Sequence, residues 1–577
     1  MTDSSANHGD TELRGDVLDV LQGLLAERRN DEVLSLVAQL VANNSELAVR
    51  AARASELEQR TGELEQRTGE LEQQLERLLA RYKKSEAVSK AQLVLFIDAL
   101  SRGEAGDVLA DDDPRRAANE HLREASGIDN PRDDEPKTRP PRKQPVRRPA
   151  PPDLRRIANP IAVPAGERPC PRCGKPRTCI GHDITEVIEL VPAQVIVRQD
   201  KREKLACGDC EGALVRAPKV DKVVDGGKFG DALEADILVS KYGDGLPLHR
   251  QRERYTRLGL DIPISTLVDQ VQWSTDLLRP LWRAAIAECI GSQVMHVDGT
   301  GLSVLDRNAP GGKRLGMLWG YVGDEVAAYI YTSTAKAVGQ RSGEMGPEDI
   351  LALREGFTVA DAGSQFNASF ATRPNLIECG CNMHGRRYFT KALDAGDTRA
   401  ALPLAGYKRL YEIEDEIRGR DPNAKLAARI EHSKPVFDEL VRWAEAQQPY
   451  VSPSSKLGAA IRYLLNHRIA LGRFLESGVV PIDNGAVERL HIRAALARKN
   501  FLFAGSDAGG ERAAIAFTIL SCCRIAEVNP IEYLTAVFPI LARRVRLIDL
   551  PDLLPRRWKL NRDAAAAIGA ALAQLAS

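Results

Sequence analysis

The 577-residue chain has no net charge, since 80 Lys and Arg balance 80 Asp and Glu, and its isoelectric point is about 7.1. A global attraction to polyanions is therefore excluded, and any affinity for nucleic acid must come from local clusters. Long apolar runs are also missing. The longest are too short to span a bilayer, and the opening MTDSSANHGDTELRGD is polar and acidic, unlike a signal peptide. A cytoplasmic protein without a membrane partner is expected. Cysteine is sparse, 10 in all, and four of these fall in two tight pairs, which suits a metal better than a disulfide framework. Length is ample, enough for several domains and more than one core.

Near the start, Leu13, Val17, Val20, Leu21, Leu24 and Leu25 recur at helical spacing. The repeats LEQRTGE, LEQRTGE and LEQQLER then place Leu57, Leu64, Leu71 and Leu78 seven residues apart. Thr61, Thr68 and Leu75 take the other seam position, and Glu58, Glu65, Arg60 and Arg67 flank it, as in a dimerising coiled coil. From 103 to about 152 the composition turns to charge and proline, including PKTRPPRKQPVRRPAPP, and no core is expected there. That arm can follow phosphates.

Next come PCPRCGKPRTCIGH and, after an alternating stretch, CGDC. Cys170 and Cys173 form one CxxC knuckle and Cys207 and Cys210 the other, and four thiolates make the closed tetrahedral shell of structural zinc. Cys179 and His182 are expected to pack or face solvent. The helical stretch RERYTRLGLDIPISTLVDQVQW resembles a helix–turn–helix, with Gly259 in the turn and Ser265 capping the second helix. Arg250, Arg252, Arg254 and Arg257 are available there for phosphates.

Beyond residue 293 the pattern changes to strands. QVMHVDGTGLSVL, GMLWGYVG and VAAYIYTS read as a three-strand meander, followed by FTVADAG and by NLIECGCNMHGRRYFTKAL, a strand running into a helix. This is the order of a ribonuclease-H-like sheet. Asp298 falls midway along the first strand and Asp361 ends the fourth, while Glu488 opens a helix that Asp483 or Asn484 can cap and whose apolar stripe is Ile492, Ala495 and Leu496. The interval between Asp361 and Glu488 is too long for a loop and reads as a helical insertion. Three carboxylates of this kind can hold two Mg²⁺ (or Mn²⁺) ions for in-line phosphoryl transfer, with Asp298 bridging. Each acid taken alone is equally compatible with a turn, a cap or a first-turn helix residue.

Residues from about 57 to 560 resemble the large transposase of the insertion-sequence-66 family, a DDE transposase. The resemblance runs in order through the zipper, YKKSEA, CPRCG…CGDC, SKYGDGLPLHRQ, HVDGT, LWGYV, CNMHGRRYF, PIDNGAVERLHIRAALARKNFLFAGSDAGGERAA, NPIEYL and LLPRRW. It implies that Asp298, Asp361 and Glu488 are the DDE triad, that the substrate is the element's end DNA together with target DNA, and that partner proteins come from the same element. The chain departs from the family pattern at Gly299, where an acid is usual, at Ala362 and Gly363, and at Gly485. Arg489, Arg493, Arg498 and Lys499 follow the third acid and can clamp DNA strands, with His384 and Arg387 as supporting residues. Cys522 and Cys523 are expected in the core; Cys379 and Cys381 share one strand face near His384, and core packing is expected for them, with a second zinc site as the alternative.

The expected organisation is multidomain, α+β and α/β. It comprises a helical region 1–102 with the zipper at about 54–82, a linker 103–160, a zinc-binding domain 161–220 and a helical DNA-binding domain 221–290. A catalytic domain follows at 291–530, with an insertion at about 395–478, and then a helical region 531–577. A zinc-containing regulator without catalysis and a structure-specific nuclease are the alternatives.

Overall fold

A computed structural model describes residues 113–128, most of 155–205, 215–334 and 344–576 except 362 and 364, with scattered helical residues between 23 and 97. The heptads at about 54–82, the basic arm from Lys137 to Arg148, and Cys207 and Cys210 lie outside the described residues. Residues 1–88 and 89–577 form two compact units, and the elements that follow all belong to the second.

Helix α1 (Pro114–Ser126) precedes a short antiparallel hairpin, β1 (Lys204–Leu205) with β2 (Val215–Arg216). Three helices follow, α2 (Asp231–Tyr242), α3 (Leu248–Arg257) and α4 (Ile264–Gly291). The central sheet consists of β3 (Val294–Leu305), β4 (Lys313–Val322), β5 (Ala327–Thr332), β6 (Gly356–Ala360) and β7 (Leu376–Gly380), in the spatial order β5-β4-β3-β6-β7. The first three strands pair antiparallel, and β6 and β7 add in parallel on the far side of β3. The chain thus leaves β3 in one direction and returns to its other edge, and β3 becomes the switch point at which open sheets place their sites. Short helices α5 (Pro347–Ala352) and α6 (Asn367–Thr372) carry the two parallel connections.

A helical layer then follows: α7 (Asn382–Asp394), α8 (Ala401–Glu416), α9 (Pro422–Ala428), α10 (Lys434–Gln447), α11 (Lys456–Asn466) and α12 (Arg468–Gly472). The chain rejoins the sheet through α13 (Gly485–Phe501) and α14 (Asp507–Ile525), and ends in α15 (Pro530–Ala542) and α16 (Pro555–Ala576). Edge strand β5 is wholly buried because helices cover it. Thr518 of α14 accepts the Tyr329 N–H (2.8 Å), and the Trp282 indole of α4 donates to the Tyr329 carbonyl (2.7 Å). Backbone groups that would recruit another strand are therefore occupied by side chains. No single described helix is long and apolar enough to cross a membrane; α14 and α15 pass such a test only as a pair bent by 119°.

Helices α2 and α4 share one hydrophobic core with the sheet, through Ile237, Leu238, Leu267, Leu278 and Leu281. Helix α4 runs for 28 residues, its cap position is Pro263, and Ser265 does not cap it. The turn before it does use Gly259, at φ 86°. Ser265 fails as a cap because Pro263 and Ile264 start the helix two positions earlier than the serine suggested.

Glu234 of α2 lies buried, accepts a bond from the Ser274 hydroxyl (3.1 Å), and burial pushes its carboxyl from 4.5 up to about 7. A raised acid favours the folded state while it stays protonated, so its contribution is complete below pH 4.5 and is lost as pH rises through 7. Glu234→Gln should therefore gain thermal stability over wild type progressively from pH 5 to pH 8, by roughly 3 kcal/mol at the upper end. A constant difference in melting temperature across that range would refute the assignment.

The expectation of a coreless linker over 103–160 is corrected at α1. Asp113 caps the helix by accepting the Arg115 N–H (2.8 Å), Pro114 takes the first turn, and Gly127 closes the helix at φ 59°. Leu122 is fully buried, and the Asn119 side-chain Oδ1 accepts from the Trp443 indole of α10 (2.8 Å). Composition averaged over the segment concealed a short capped helix whose apolar side packs on the insertion. Arg429 braces that insertion. It is buried, paired with Glu414 (2.7 Å), and donates to the carbonyls of Phe474, Ser477 and Val480. It thereby holds the strap that leads into α13.

Candidate active site

Asp298 sits in the first half of the twelve-residue β3. The parallel register pairs Val297 with Ala360, so Asp298 and Asp361 are the next residues on adjacent strands and leave the sheet on the same face. Asp298 stands opposite Gly320 on β4. A Cβ at Gly320 would lie 2.8 Å from the His491 ring and 3.2 Å from Val487, so α13 crosses β4 here because a glycine lets it. That crossing delivers Glu488, in the first turn of α13, to the pair of aspartates. The three expected acids thus come from three elements that meet here, near enough for Asp361 and Glu488 to act on Asp298 by charge; among the described residues the group whose ligand atoms all lie within 4.8 Å of one another is Cys381, His384 and Glu488 rather than the three acids.

The electrostatics agree. Burial, and then the charges of Asp361 and Glu488, push the Asp298 carboxyl up to about 7, against the Gly299 N–H bond (2.8 Å) and the Arg387 charge, which lower it. Three acids thus share a confined space with little positive charge. Asp361 Oδ1, Glu488 Oε1 and His384 Nδ1 are buried there without hydrogen-bond partners. Buried carboxyl oxygens without partners cost free energy that a cation would offset. Together with the oxygen-rich donor set, they fit a hard divalent ion.

Asn484 was expected only as a possible cap. It occupies the cap position, but its side chain makes no capping bond. Instead it is buried, donates to the Val297 carbonyl (2.9 Å), and its Oδ1 meets His296 Nδ1 (2.9 Å), which therefore carries the proton. Its own N–H points at the Cys381 sulfur (3.2 Å). One residue thus pins the start of α13 to β3 and to the end of β7. Asp483 does the capping, accepting the Gly485 N–H (2.9 Å).

His491 escaped the sequence reading. It lies one turn beyond Glu488 on the same side of α13, with Nε2 3.6 Å from Asp298 Oδ2 and Nδ1 3.2 Å from the Tyr329 hydroxyl. Burial lowers its imidazole to about 4, so it stands neutral beside Asp298. The spacing Glu-x-x-His was the available signal. Of the supporting residues, His384 Nδ1 lies 3.8 Å from Glu488 Oε1, and Arg387 Nη1 lies 3.4 Å from His384 Nε2.

The expected stripe of α13 is corrected. Val487, Leu490, Ala494 and Ala497 form its buried side, whereas Ile492 and Leu496 are 52% and 54% exposed. The exposed side also presents Arg489, Arg493 and Lys499. Arg493 donates to the Gly243 carbonyl (3.3 Å), and Arg498, half-buried, donates to the Gly301 carbonyl. Arg498 therefore braces β3 rather than offering its charge outward. Arg250 is exposed, but Arg252 pairs with Asp261 (3.0 Å) and Arg254 with Asp236. At Gly299 a Cβ would meet the Trp319 ring at 2.7 Å, so this sheet has no room for the acid usual after the first Asp.

In the cysteine module, the Cys170 N–H donates to the Lys175 carbonyl and the Gly174 N–H to the Cys170 carbonyl, both at 2.8 Å. Gly174, at φ 71°, makes the tight turn that presents Cys170 and Cys173 together. Cys179 and His182 are exposed. Cys379, Cys381, Cys522 and Cys523 are buried.

Residues 226–512 match the family model described as Transposase IS66 family. Residues 167–211 match the model for the zinc-finger binding domain of transposase IS66. Among curated proteins the chain is similar to Uncharacterized protein y4hP of Sinorhizobium fredii, at 33% identity over 443 residues, 72% of this chain and 78% of the relative. Two further proteins of that organism are similar. Uncharacterized protein y4qI is 30% identical over 69% of this chain and 75% of its own, and Uncharacterized protein y4jD is 28% identical over 70% and 80%.

Proposed function

The chain belongs to the IS66 transposase family, and we propose that it cleaves the ends of its mobile element and joins them to target DNA at the Asp298–Asp361–Glu488 centre. The observation that supports this reading is that the charges of Asp361 and Glu488, each with an orphaned buried oxygen, raise the carboxyl of Asp298 on the central strand. The strand order, with two parallel strands added beside an antiparallel meander, supports a ribonuclease-H-like catalytic domain.

Asp298, Asp361 and Glu488 would hold Mg²⁺ or Mn²⁺. When bound, the ions supply Lewis acidity at phosphorus and lower the pKa of a bound water. The chain's own groups orient the reaction. Asn484 fixes Glu488 relative to β3, the neutral His491 flanks Asp298, and the sheet holds the two aspartates in register. Arg489, Arg493 and Lys499 line the exposed side of α13, where a DNA backbone would lie, with Arg250 as a further phosphate contact. The nucleophile is water for cleavage and a DNA 3′-OH for joining. Pairing of two copies through the heptads, accessory proteins of the same element, and a cytoplasmic setting belong to the same reading.

The test is purified full-length protein with Mg²⁺ and labelled duplexes carrying the element's own ends. Nicked ends and strand-joined products are expected on denaturing gels. Cleavage without joining would indicate a structure-specific nuclease, and binding without cleavage a regulator; either would overturn the proposal. For the cysteine module we expect Cys170, Cys173, Cys207 and Cys210 to hold one Zn²⁺. Protein purified without added metal should then contain about one zinc per chain, and Cys170→Ser almost none. Equal zinc in the two proteins would remove the assignment.

A further inference from the structure

We propose that Cys381, His384 and Glu488 form a second metal site, built for a borderline or soft divalent ion such as Zn²⁺ rather than for Mg²⁺. One ligand atom from each of the three, a thiol sulfur, an imidazole nitrogen and a carboxylate oxygen, lies within 4.8 Å of the others. Two of the groups are otherwise unsatisfied, since His384 Nδ1 and Glu488 Oε1 are buried, 3.8 Å apart, and neither has a hydrogen-bond partner. The donor set decides the ion. Mg²⁺ takes oxygen and dehydrates reluctantly, whereas sulfur and imidazole nitrogen with one carboxylate oxygen suit Zn²⁺.

The fold explains why the three meet. Cys381 is the residue before α7 and His384 lies in its first turn, so the Cys-x-x-His spacing puts both on one side of the helix start. Glu488 occupies the first turn of α13, whose entry is tied to Cys381 by the Asn484 N–H to sulfur bond (3.2 Å). The N-termini of two helices therefore converge on this sulfur. Burial, with the charges of Asp483 and Glu488, pushes the thiol up to about 12 against the N–H groups of Asn484 and His384, which lower it. Helix N-termini and backbone donors of this kind stabilise a thiolate, and binding would release the Sγ proton to solvent as the metal–sulfur bond forms. Cys379 does not join the site; its thiol turns back towards the Ile377 carbonyl (3.8 Å).

Binding does not depend on what the acids catalyse. Its consequence does rest on the catalytic reading of Glu488: an ion held by Cys381 and His384 would draw that carboxylate away from Asp298 and Asp361 and so oppose the Mg²⁺-dependent reaction.

The experiment is equilibrium dialysis of the full-length chain against Zn²⁺ in excess Mg²⁺, with zinc counted per chain and folding checked by circular dichroism. Wild type should hold about one ion more than Cys381→Ala and than His384→Gln, and Asp298→Asn should keep that ion. His384 is partly exposed in the first turn of α7, so His384→Gln decides the matter if the buried cysteine variant does not fold. Equal zinc in wild type and His384→Gln overturns the proposal. Loss of the ion in Asp298→Asn also overturns it, because the ion would then belong to the triad. A zinc difference that persists in protein unable to cleave DNA supports this site and defeats the catalytic reading alone.

Discussion

Asp298→Asn should lower cleavage of end DNA by roughly a thousandfold or more, and should raise, not lower, the melting temperature of metal-free protein. Both effects have one cause. The carboxyl is buried beside Asp361 and Glu488, and its charge is disfavoured strongly enough to bring its pKa up to about 7. The amide has the same shape and still accepts the Gly299 N–H, so the strand is undisturbed. It removes one member of a repelling trio, which relieves the free protein, and it removes the anionic oxygen that a cation needs. Sites that hold like charges together without a counterion trade stability for function in this way. Melting in EDTA and single-turnover cleavage in Mg²⁺ check the two halves. Cleavage within tenfold of wild type would remove Asp298 from the centre of the reaction.

Asn484→Ala should act through a different route, with the expected loss about a hundredfold in cleavage and several degrees in melting temperature. The truncation leaves the buried His296 Nδ1–H without its Asn484 acceptor and removes a donor from the Val297 carbonyl. An unsatisfied buried donor of this kind costs about 1–3 kcal/mol. It also cuts the tie that sets the start of α13 against β3, and a shift of about 1 Å in a positioned group can cost a hundredfold in rate. Cleavage measured well below the melting temperature separates the two effects, because the folded fraction is then constant. If the variant melts lower but cleaves at the wild-type rate, Asn484 is structural and does not position Glu488. The same logic makes Arg429 a more distant brace, since it grips the strap before α13 rather than the helix itself.

Much of the site was legible in the chain. Asp298 and Asp361 could be placed because each interrupts or ends a short apolar run, and the alternation along a strand decides which face it serves. Glu488 could be placed at a helix start by the turn residues before it. The orientation of that helix was another matter. Ile492 and Leu496 look like its core stripe in isolation, yet Val487, Leu490, Ala494 and Ala497 are the residues buried. The glycine at Gly320 admits Val487, Leu490 and His491 of α13 against the sheet, and the contact with that glycine, not the helix's own pattern, sets which side is buried. Helix α1 was overlooked for the opposite reason. Its capping signals are local, but its apolar residues are too few to be noticed until the insertion supplies the partner surface.

By itself the sequence determined the elements and their chemistry: the strands, the helix starts, the paired cysteines of the knuckles, and the element on which each of the three acids sits. Those are properties of neighbouring residues, and periodicity and capping express them directly. Only the tertiary structure decided which side of α13 faces the acids, that Asn484 and His491 belong beside them, that Arg498 turns inward, and that Cys381 and His384 meet Glu488. These depend on atoms a hundred or more residues apart in the chain. Close packing sets those distances through the shapes of both partners, and neither partner's own sequence window contains that information.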